Sequence, residues 1–230
     1  MSKNIKKEKK EENLSVVAEV LSKGEKFLVE HKVKLMGAGI GIVAIILIIF
    51  AYNNLIKAPR ENTALEQMAT AERYFEIDSF NIALNGDGIN LGFNQIIYDY
   101  GSTEAARLAR FYAGYCNLKL GYFEEAISQL EKFNAKDEIL QARAYCGIGD
   151  AYIQLEQYDN AVAYFMKAAN YRDNAFSVTY LMKAGLTYEE LEKYSDALTV
   201  YEKVKTQYYN TVEAQEIDKY IERAKIKQNQ

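Results

Sequence analysis

The side chains that usually carry out chemistry in proteins are scarce in this sequence of 230 residues. It has two cysteines, Cys116 and Cys146, which stand thirty positions apart, and one histidine, His31. Zinc sites need several Cys or His ligands, and redox-active cysteines usually form a C-x-x-C pair, so these residues can assemble neither. We interpret both cysteines as small buried helix residues, with a disulfide between them as the alternative.

Catalytic motifs are also absent. The sequence contains no GxxxxGK[ST], GxSxG or HExxH pattern, the patterns that cradle phosphates, expose a nucleophilic serine or bind a catalytic zinc. Its 32 Asp and Glu residues are spread along the chain, as expected of solvated helix faces. The sequence therefore predicts a protein that is not an enzyme and that needs no cofactor and no metal.

The composition favours helices. Hydrophobic residues make up 49% of the chain, 19 residues are tyrosines, and Pro59 is the only proline. A chain this apolar can bury a core, and one that lacks prolines has few of the residues that interrupt helices or shape the turns of β proteins. We therefore predict an all-α fold.

Charge is distributed unevenly. Residues 1–34 carry nine lysines against six acidic residues, whereas residues 58–230 carry 18 Lys and Arg against 26 Asp and Glu. An acidic domain repels phosphate backbones, so nucleic acid is excluded as a partner of the larger part.

Residues 35–52 are uncharged and largely apolar, and no charged residue stands between Lys34 and Lys57. A helix of 18 residues is about 27 Å long, close to the thickness of the hydrocarbon core of a bilayer. We predict a transmembrane helix over residues 35–56. A cleaved signal peptide is the alternative, but residues 50–54 lack the small-x-small pattern of a cleavage site, so the segment should remain as an anchor in the lipid.

Basic residues are enriched before the predicted span. Within about 20 residues on either side, four lysines precede it and two basic residues follow it: Lys23, Lys26, Lys32 and Lys34, then Lys57 and Arg60. Since positive charge favours the cytoplasmic side, residues 1–34 should be cytoplasmic and residues 57–230 periplasmic. The chain is then a single-pass protein of a bacterial inner membrane.

Two further features accompany the span. Gly37 and Gly41 form a GxxxG pattern, which allows another helix to approach closely, and we predict that they pack against a helix in the membrane. Upstream, apolar residues recur at helical spacing at Leu14, Val17, Leu21 and Leu28. This segment is either an amphipathic helix at the membrane or a partner, or a solvated helix.

An internal repeat dominates the rest of the chain. Glycines lie 35 and 36 positions apart, each is followed twelve residues later by an alanine, and each alanine is preceded by an aromatic residue at three positions and followed by a large residue at four. These sets are Gly114, Gly149 and Gly185; Ala126, Ala161 and Ala197; Phe123, Tyr158 and Tyr194; and Leu130, Phe165 and Tyr201. The pattern resembles the tetratricopeptide repeat (TPR), a pair of helices that stacks into a solenoid. The small residues should allow the two helices to cross closely.

The array should extend beyond the three clear repeats. Ala71, Tyr74, Phe80 and Ala83 sit at matching offsets and indicate a degenerate N-terminal repeat. Residues 85–88 are predicted as a turn and not as a calcium-binding loop, since the last carboxylate ligand of such a loop is missing. A helix near residues 91–98 should complete the unit, residues 101–103 should cap the next helix, and residues 211–227 should form a C-terminal capping helix.

Stacked repeats expose a concave surface on their first helices. The repeat register places mostly apolar residues there, and we predict the following as partner-binding: Leu108, Phe111, Tyr115, Leu118, Asp150, Ile153, Met182 and Leu186, with Cys146 between them. TPR domains that clamp a C-terminal carboxylate carry lysines and asparagines in this groove, and here the equivalent positions include Tyr115, Asp150 and Leu186. We therefore do not expect a carboxylate clamp of that kind. An apolar lining suits a hydrophobic segment or a partner helix.

The order of parts extends the resemblance. A lysine-rich tail, a helix ending in residues 27–32 (FLVEHK), a glycine-rich span and repeats beginning with residues 111–114 (FYAG) resemble the YfgM family, ancillary subunits of the bacterial Sec translocon, in its Bacteroidota-type form. The resemblance implies a periplasmic domain that meets secreted polypeptides emerging from a SecY-type channel, beside a membrane-anchored prolyl-isomerase-like chaperone. A membrane-anchored scaffold for envelope assembly or cell division is the alternative function.

Overall fold

The computed structural model describes residues 31–34, 36–37 and 40–230. All regular secondary structure in these residues is helical. The chain divides into two units, Met1–Ala58 and Pro59–Gln230. The amphipathic segment predicted from Leu14, Val17 and Leu21 lies outside the described residues.

The described part of the first unit is helical. Residues 40–52 form helix α1, and a π-helical turn, Asn53–Lys57, follows it. The side chains of α1 are exposed, with Ile45 59% and Phe50 65% accessible. Among the described residues, Ile40–Glu76 is the one helical run that is long and apolar enough to cross a membrane, judged by length and composition.

The second unit is an array of helices joined by short turns. Its N-terminal part contains α2 (Ala58–Glu76), α3 (Phe80–Asn85) and α4 (Phe93–Asp99). Three helix pairs follow: α5 (Glu104–Leu120) with α6 (Phe123–Glu131), α7 (Glu138–Gln154) with α8 (Tyr158–Asn170), and α9 (Ser177–Glu190) with α10 (Tyr194–Gln207). The chain ends in α11 (Val212–Gln215) and α12 (Ile217–Gln228). The predicted all-α solenoid with a degenerate first repeat and a C-terminal capping helix is confirmed.

Helix α5 begins where the sequence predicted a cap. Thr103 Oγ1 accepts a hydrogen bond from the backbone N–H of Ala106 at 3.0 Å. Glu61, from α2, accepts from the N–H groups of Glu104 and Ala105, both at 2.8 Å. These acceptors satisfy three donors that a helix N-terminus leaves unpaired. The same contacts tie α2 to the first clear repeat.

The glycine of each repeat makes room for a large side chain of the second helix. A Cβ atom added to Gly149 would lie 2.6 Å from the ring of Phe165, and one added to Gly114 would collide with Leu130. Gly185 faces Tyr201 in the same way. The glycines therefore contact the large residue four positions after each alanine. The three alanines themselves are fully buried: Ala126, Ala161 and Ala197.

The turn between the two helices of each repeat also recurs. Seven residues after the small residue of each first helix, the backbone is left-handed, with φ of 60° at Asp78, 83° at Gly121, 58° at Glu156 and 58° at Glu192. Asp78 follows Ala71 by the same interval. The degenerate repeat therefore shares the turn geometry of the other three.

A loop connects α3 to α4. The carboxylate of Asp87 accepts hydrogen bonds from the N–H groups of Ile89 and Asn90, from the Asn90 amide and from the Tyr74 hydroxyl, at 2.6 to 2.8 Å. These donors hold the pKa of Asp87 well below its usual range. The carboxylate thus organises a turn, in line with the interpretation of residues 85–88.

The core runs along the array as three apolar clusters. Its fully buried large residues include Met68, Phe93, Ile96, Leu130, Ile148, Phe165, Leu181 and Tyr201. Helix α12 closes the far end by burying Ile217, Ile221 and Ala224 against this core, while the rest of its side chains stay half-exposed or exposed.

Candidate protein-binding face

The first helices of the three clear repeats, α5, α7 and α9, form what we call the first-helix face. Most of the predicted partner-binding residues are half-buried there, as expected of side chains at a surface groove: Leu108, Tyr115, Leu118, Asp150, Ile153 and Met182. Leu186 is 40% exposed. Phe111 and Cys146 are instead buried, at 4% and 7% exposed.

Phe111 belongs to the core and not to the accessible surface. It clusters with Leu130, Phe133 and Ile148, and its ring centroid lies 5.3 Å from that of Phe133. The guanidinium of Arg143 lies 5.9 Å from its centroid. The repeat spacing correctly predicted the side of α5 on which Phe111 lies. It did not predict that neighbouring residues bury the ring.

Tyr115 joins two first helices. Its hydroxyl donates a hydrogen bond to the backbone carbonyl of Arg143 at 2.8 Å. Burial, and then the nearby Cys146 thiol, raise the pKa of Tyr115 above its ordinary value, so the hydroxyl stays neutral and serves as a donor. The side chain therefore fixes the position of α7 against α5.

Three predicted residues line one cleft. Leu118 from α5 and Asp150 and Ile153 from α7 enclose a space of about 340 Å³ together with Lys119, Gly121, Phe123 and Gln154. The cleft has an apolar wall and a charged rim. Its chemistry suits a large apolar side chain that reaches in from a bound polypeptide.

Asp150 is paired across the face. Lys183 of α9 donates to its two carboxylate oxygens at 2.5 and 2.7 Å, and the Cys146 thiol lies 3.9 Å from Asp150 Oδ2. Burial opposes the charge on Lys183, but Cys146 and Asp150 outweigh it and raise its pKa. Burial, reinforced by Asp150, raises the pKa of Cys146 to about 12. Lys183 therefore stays charged and the Cys146 thiol stays protonated at neutral pH.

A buried tyrosine completes this polar group. The Tyr180 hydroxyl is the one buried side-chain polar atom without a hydrogen-bond partner in the part of the chain that the structure describes. Burial, followed by the Cys146 thiol, raises its pKa to about 12. Tyr180 thus lies beside Cys146 without sharing its hydrogen bond to Asp150.

Sequence reasoning missed three polar residues of this face, Arg143, Tyr180 and Lys183. Arg143 lies 35 positions after Leu108, and Thr179 lies 36 positions after Arg143. The same position of successive repeats is thus occupied by Leu108, Arg143 and Thr179. The repeat spacing could therefore have found Arg143. Tyr180 and Lys183 lie within two positions of Met182 in the sequence, but only the packing of α9 shows that their side chains reach the middle of the first-helix face.

The other expectations on chemistry concern metals, thiols and the span. In residues 31–34, 36–37 and 40–230, no group of three or more His, Cys, Asp or Glu side chains is arranged to hold a metal ion. Cys116 and Cys146 are both buried, and neither forms a disulfide. Among the described residues, no atom outside their own helix backbone lies within 4 Å of the point where a Cβ of Gly37 or Gly41 would stand, and their packing against a membrane helix stays a prediction.

Comparisons with known proteins agree on the fold. Two models of the tetratricopeptide repeat match residues 142–174 and 180–211, which correspond to the second and third clear repeats. The crystal structure of the MamA protein superposes with a TM-score of 0.54 and 18% sequence identity over 73% of this chain and 92% of that one. No curated protein matches the sequence. The repeat domain is a TPR-type α-solenoid, a class of domain that binds protein partners.

Proposed function

We propose that this chain is a membrane-anchored TPR protein that serves as an ancillary subunit of the bacterial Sec translocon. The observation that carries the proposal is the exposed apolar helix α1, followed in the same chain by a repeat domain with an accessible first-helix face. A protein built this way can hold a binding surface close to a membrane channel.

The charge pattern supports a direction for the anchor. Basic residues are concentrated before residue 35, and positive charge near a span favours the cytoplasmic side. In this arrangement residues 35–56 span the inner membrane and residues 57–230 lie in the periplasm. The repeats then stand where secreted polypeptides emerge.

The proposed partners are a SecY-type channel, a membrane-anchored prolyl-isomerase-like chaperone and the emerging polypeptides themselves. The channel would be met in the membrane, where Gly37 and Gly41 offer a surface without side chains. The polypeptides would be met by the half-buried apolar residues Leu118 and Ile153. Both contacts are between proteins, and no nucleic acid is involved.

Affinity purification of the full chain from gently solubilised membranes tests the proposal. We expect a SecY-type channel to copurify with it. Gly37→Leu combined with Gly41→Leu should weaken this recovery several-fold, because bulky residues prevent close helix approach. Val43→Leu on the same helix is the matched control. Failure to recover any Sec channel or periplasmic chaperone would overturn the proposal.

One observation favours the alternative, a scaffold for envelope assembly or cell division. The ion pair between Asp150 and Lys183 lies in the middle of the first-helix face, and fixed charges favour a defined partner over arbitrary unfolded chains. A full-length protein that binds no permanently unfolded polypeptide, yet copurifies with a constant set of envelope proteins, would support the scaffold.

A further inference from the structure

Arg143 is a cation held in place on the first-helix face. Its side chain is exposed, and its guanidinium lies 5.9 Å from the ring centroid of Phe111 and 6.0 Å from that of Tyr115. No carboxylate pairs with it among the described residues. A guanidinium that faces aromatic rings and has no carboxylate partner can use its N–H groups to bind a carboxylate in bidentate geometry.

The charges around Arg143 reinforce this cation. Asp150, which lines the neighbouring cleft, is neutralised by Lys183. Lys119, at the rim of the same cleft, is exposed and adds a second positive charge. Arg143 and Lys119 therefore give this part of α5 and α7 an excess of positive charge beside the cleft, although residues 58–230 carry 18 basic against 26 acidic residues and Glu72 and Glu76 of α2 lie near Tyr112, as Arg143 does. This local excess favours a negatively charged group at Arg143.

The cleft supplies the apolar half of the site. Leu118 and Ile153 form its apolar wall, and both are half-buried, so a partner side chain can cover what remains exposed. Apolar contact supplies affinity, while the charged group fixes which sequence binds.

The distance between the two halves sets the spacing in the partner. Arg143 and Ile153 are ten residues apart on helix α7, which corresponds to about 15 Å along its axis. An extended chain advances about 3.3 Å per residue, so it covers this distance in about four or five residues.

We infer that the first-helix face binds an extended polypeptide segment that carries an acidic residue four or five positions from a large apolar residue. The carboxylate contacts Arg143 and the apolar side chain enters the Leu118–Ile153 cleft. The inference rests on the proposed function in that the repeats bind protein, and it adds the chemistry of the bound segment.

The test uses the full chain in detergent and fluorescein-labelled Gly/Ser peptides of twelve residues. The peptides carry one Glu and one Leu, four or five positions apart, in either order, and fluorescence anisotropy reports binding. We expect the best of these peptides to lose at least fivefold in affinity when its Glu becomes Gln or its Leu becomes Ala.

Charge reversal on the protein provides the second arm. Arg143→Glu should lower the affinity for the Glu peptide at least tenfold. A peptide in which Lys replaces that Glu should then bind more tightly than the Glu peptide. Lys132→Glu, at an exposed position after helix α6, is the control and should leave both affinities unchanged. Circular dichroism melts of both variants show whether the fold is retained, and Arg143→Gln, which keeps the aliphatic part over Phe111, separates charge from packing.

The outcomes distinguish the inference from the proposed function. Equal affinities for the Glu and Gln peptides, or an unchanged preference in Arg143→Glu, would overturn the inference. If no peptide binds while the chain still recovers a Sec channel, the inference fails and the proposed function stands. If the Glu peptide binds as expected but no Sec channel is recovered, the inference stands and the proposed function fails.

Discussion

One residue in the turn of each helix pair has a left-handed backbone conformation. Asp78, Gly121, Glu156 and Glu192 all adopt positive φ, a region that costs an L-residue with a side chain about 1 to 2 kcal/mol. Only one of the four is glycine. The other three turns therefore carry strain that the packing of the repeats overcomes.

We predict that Glu156→Gly and Glu192→Gly each raise the free energy of unfolding by about 0.5 to 1 kcal/mol, because glycine adopts this conformation without strain. The same change in the exposed interior of helix α10, Glu202→Gly, should lower it by about 1 kcal/mol. Urea titrations followed by circular dichroism give the three values. A loss of stability at both turn positions would contradict the strain at these turns.

The burial of Phe111 changes what its substitution tests. Phe111→Ala should lower the free energy of unfolding by about 3 kcal/mol or more, since it removes a large ring from a packed core. Leu118→Ala, at a half-buried position, should cost about 1 kcal/mol and should weaken partner binding. Melting curves beside binding titrations separate the two effects. A Leu118→Ala variant that retains full binding would move the partner surface away from this cleft.

Helix α12 is held against the last repeat by one buried carboxylate. Glu189 of α9 is 6% exposed, accepts from the Tyr201 hydroxyl at 2.7 Å, and pairs with two nitrogens of Arg223 at 2.7 and 2.9 Å. Three helices, α9, α10 and α12, meet at this group. The apolar contacts of Ile217 and Ile221 hold the rest of the helix.

This carboxylate predicts a pH dependence. Burial alone raises the pKa of Glu189, but hydrogen bonds from Arg223 and Tyr201 outweigh it and hold the pKa below the ordinary 4.5. Because the folded-state pKa is lowered, the stabilisation is complete above pH 4.5 and is lost as the pH falls below that value.

Arg223→Leu measures this stabilisation. It should lower the free energy of unfolding at pH 7 by about 2 to 3 kcal/mol, and the difference from the unchanged protein should shrink at pH 3.5. Arg172→Leu removes an exposed pair with Glu138 and should cost less than about 1 kcal/mol at either pH. A difference for Arg223→Leu that is as large at pH 3.5 as at pH 7 would rule out the role of Glu189.

The sequence predicted these elements well where small residues mark a helix crossing. Gly149 has no room for a side chain beside Phe165 and Ala161 is fully buried, so the spacing of these small residues indicates the helix pairs directly. The face around Arg143 was harder to predict, because burial of Phe111 depends on a side chain from the next repeat. Glu189 lacks any local signal, since its partner Arg223 lies 34 residues away.

Across the whole molecule, polar contacts link each repeat to the next. The paired residues are separated by a nearly constant number of positions in the sequence. Residues 33 to 35 positions apart pair repeatedly along the array: Glu131 with Tyr164, Glu138 with Arg172, Asp150 with Lys183, Asp159 with Lys193, and Asp173 with Tyr208. The apolar clusters likewise join neighbouring helices. The array therefore resembles a one-dimensional stack in which each unit depends on its neighbours.

The topology of the whole chain gives the last prediction. If the chain has the orientation proposed above, protease added outside spheroplasts should digest residues 57–230 and spare residues 1–34, because a lysine excess before a span favours a cytoplasmic N-terminus. Immunoblots with tags at either end report the fragments, and lysed spheroplasts are the control in which both ends are lost. Protection of the repeats with loss of the N-terminal tag would overturn both the orientation and the proposed function.

The nearest-neighbour contacts also bear on the order in which the chain is made. Helices α5 and α6 pack mainly against α3, α4 and α7, so most of their contacts can form once α7 has been made. A chain delivered from its N-terminus can thus fold in the order of its synthesis. Helix α12 follows the last repeat and covers the apolar surface that α10 would otherwise leave exposed.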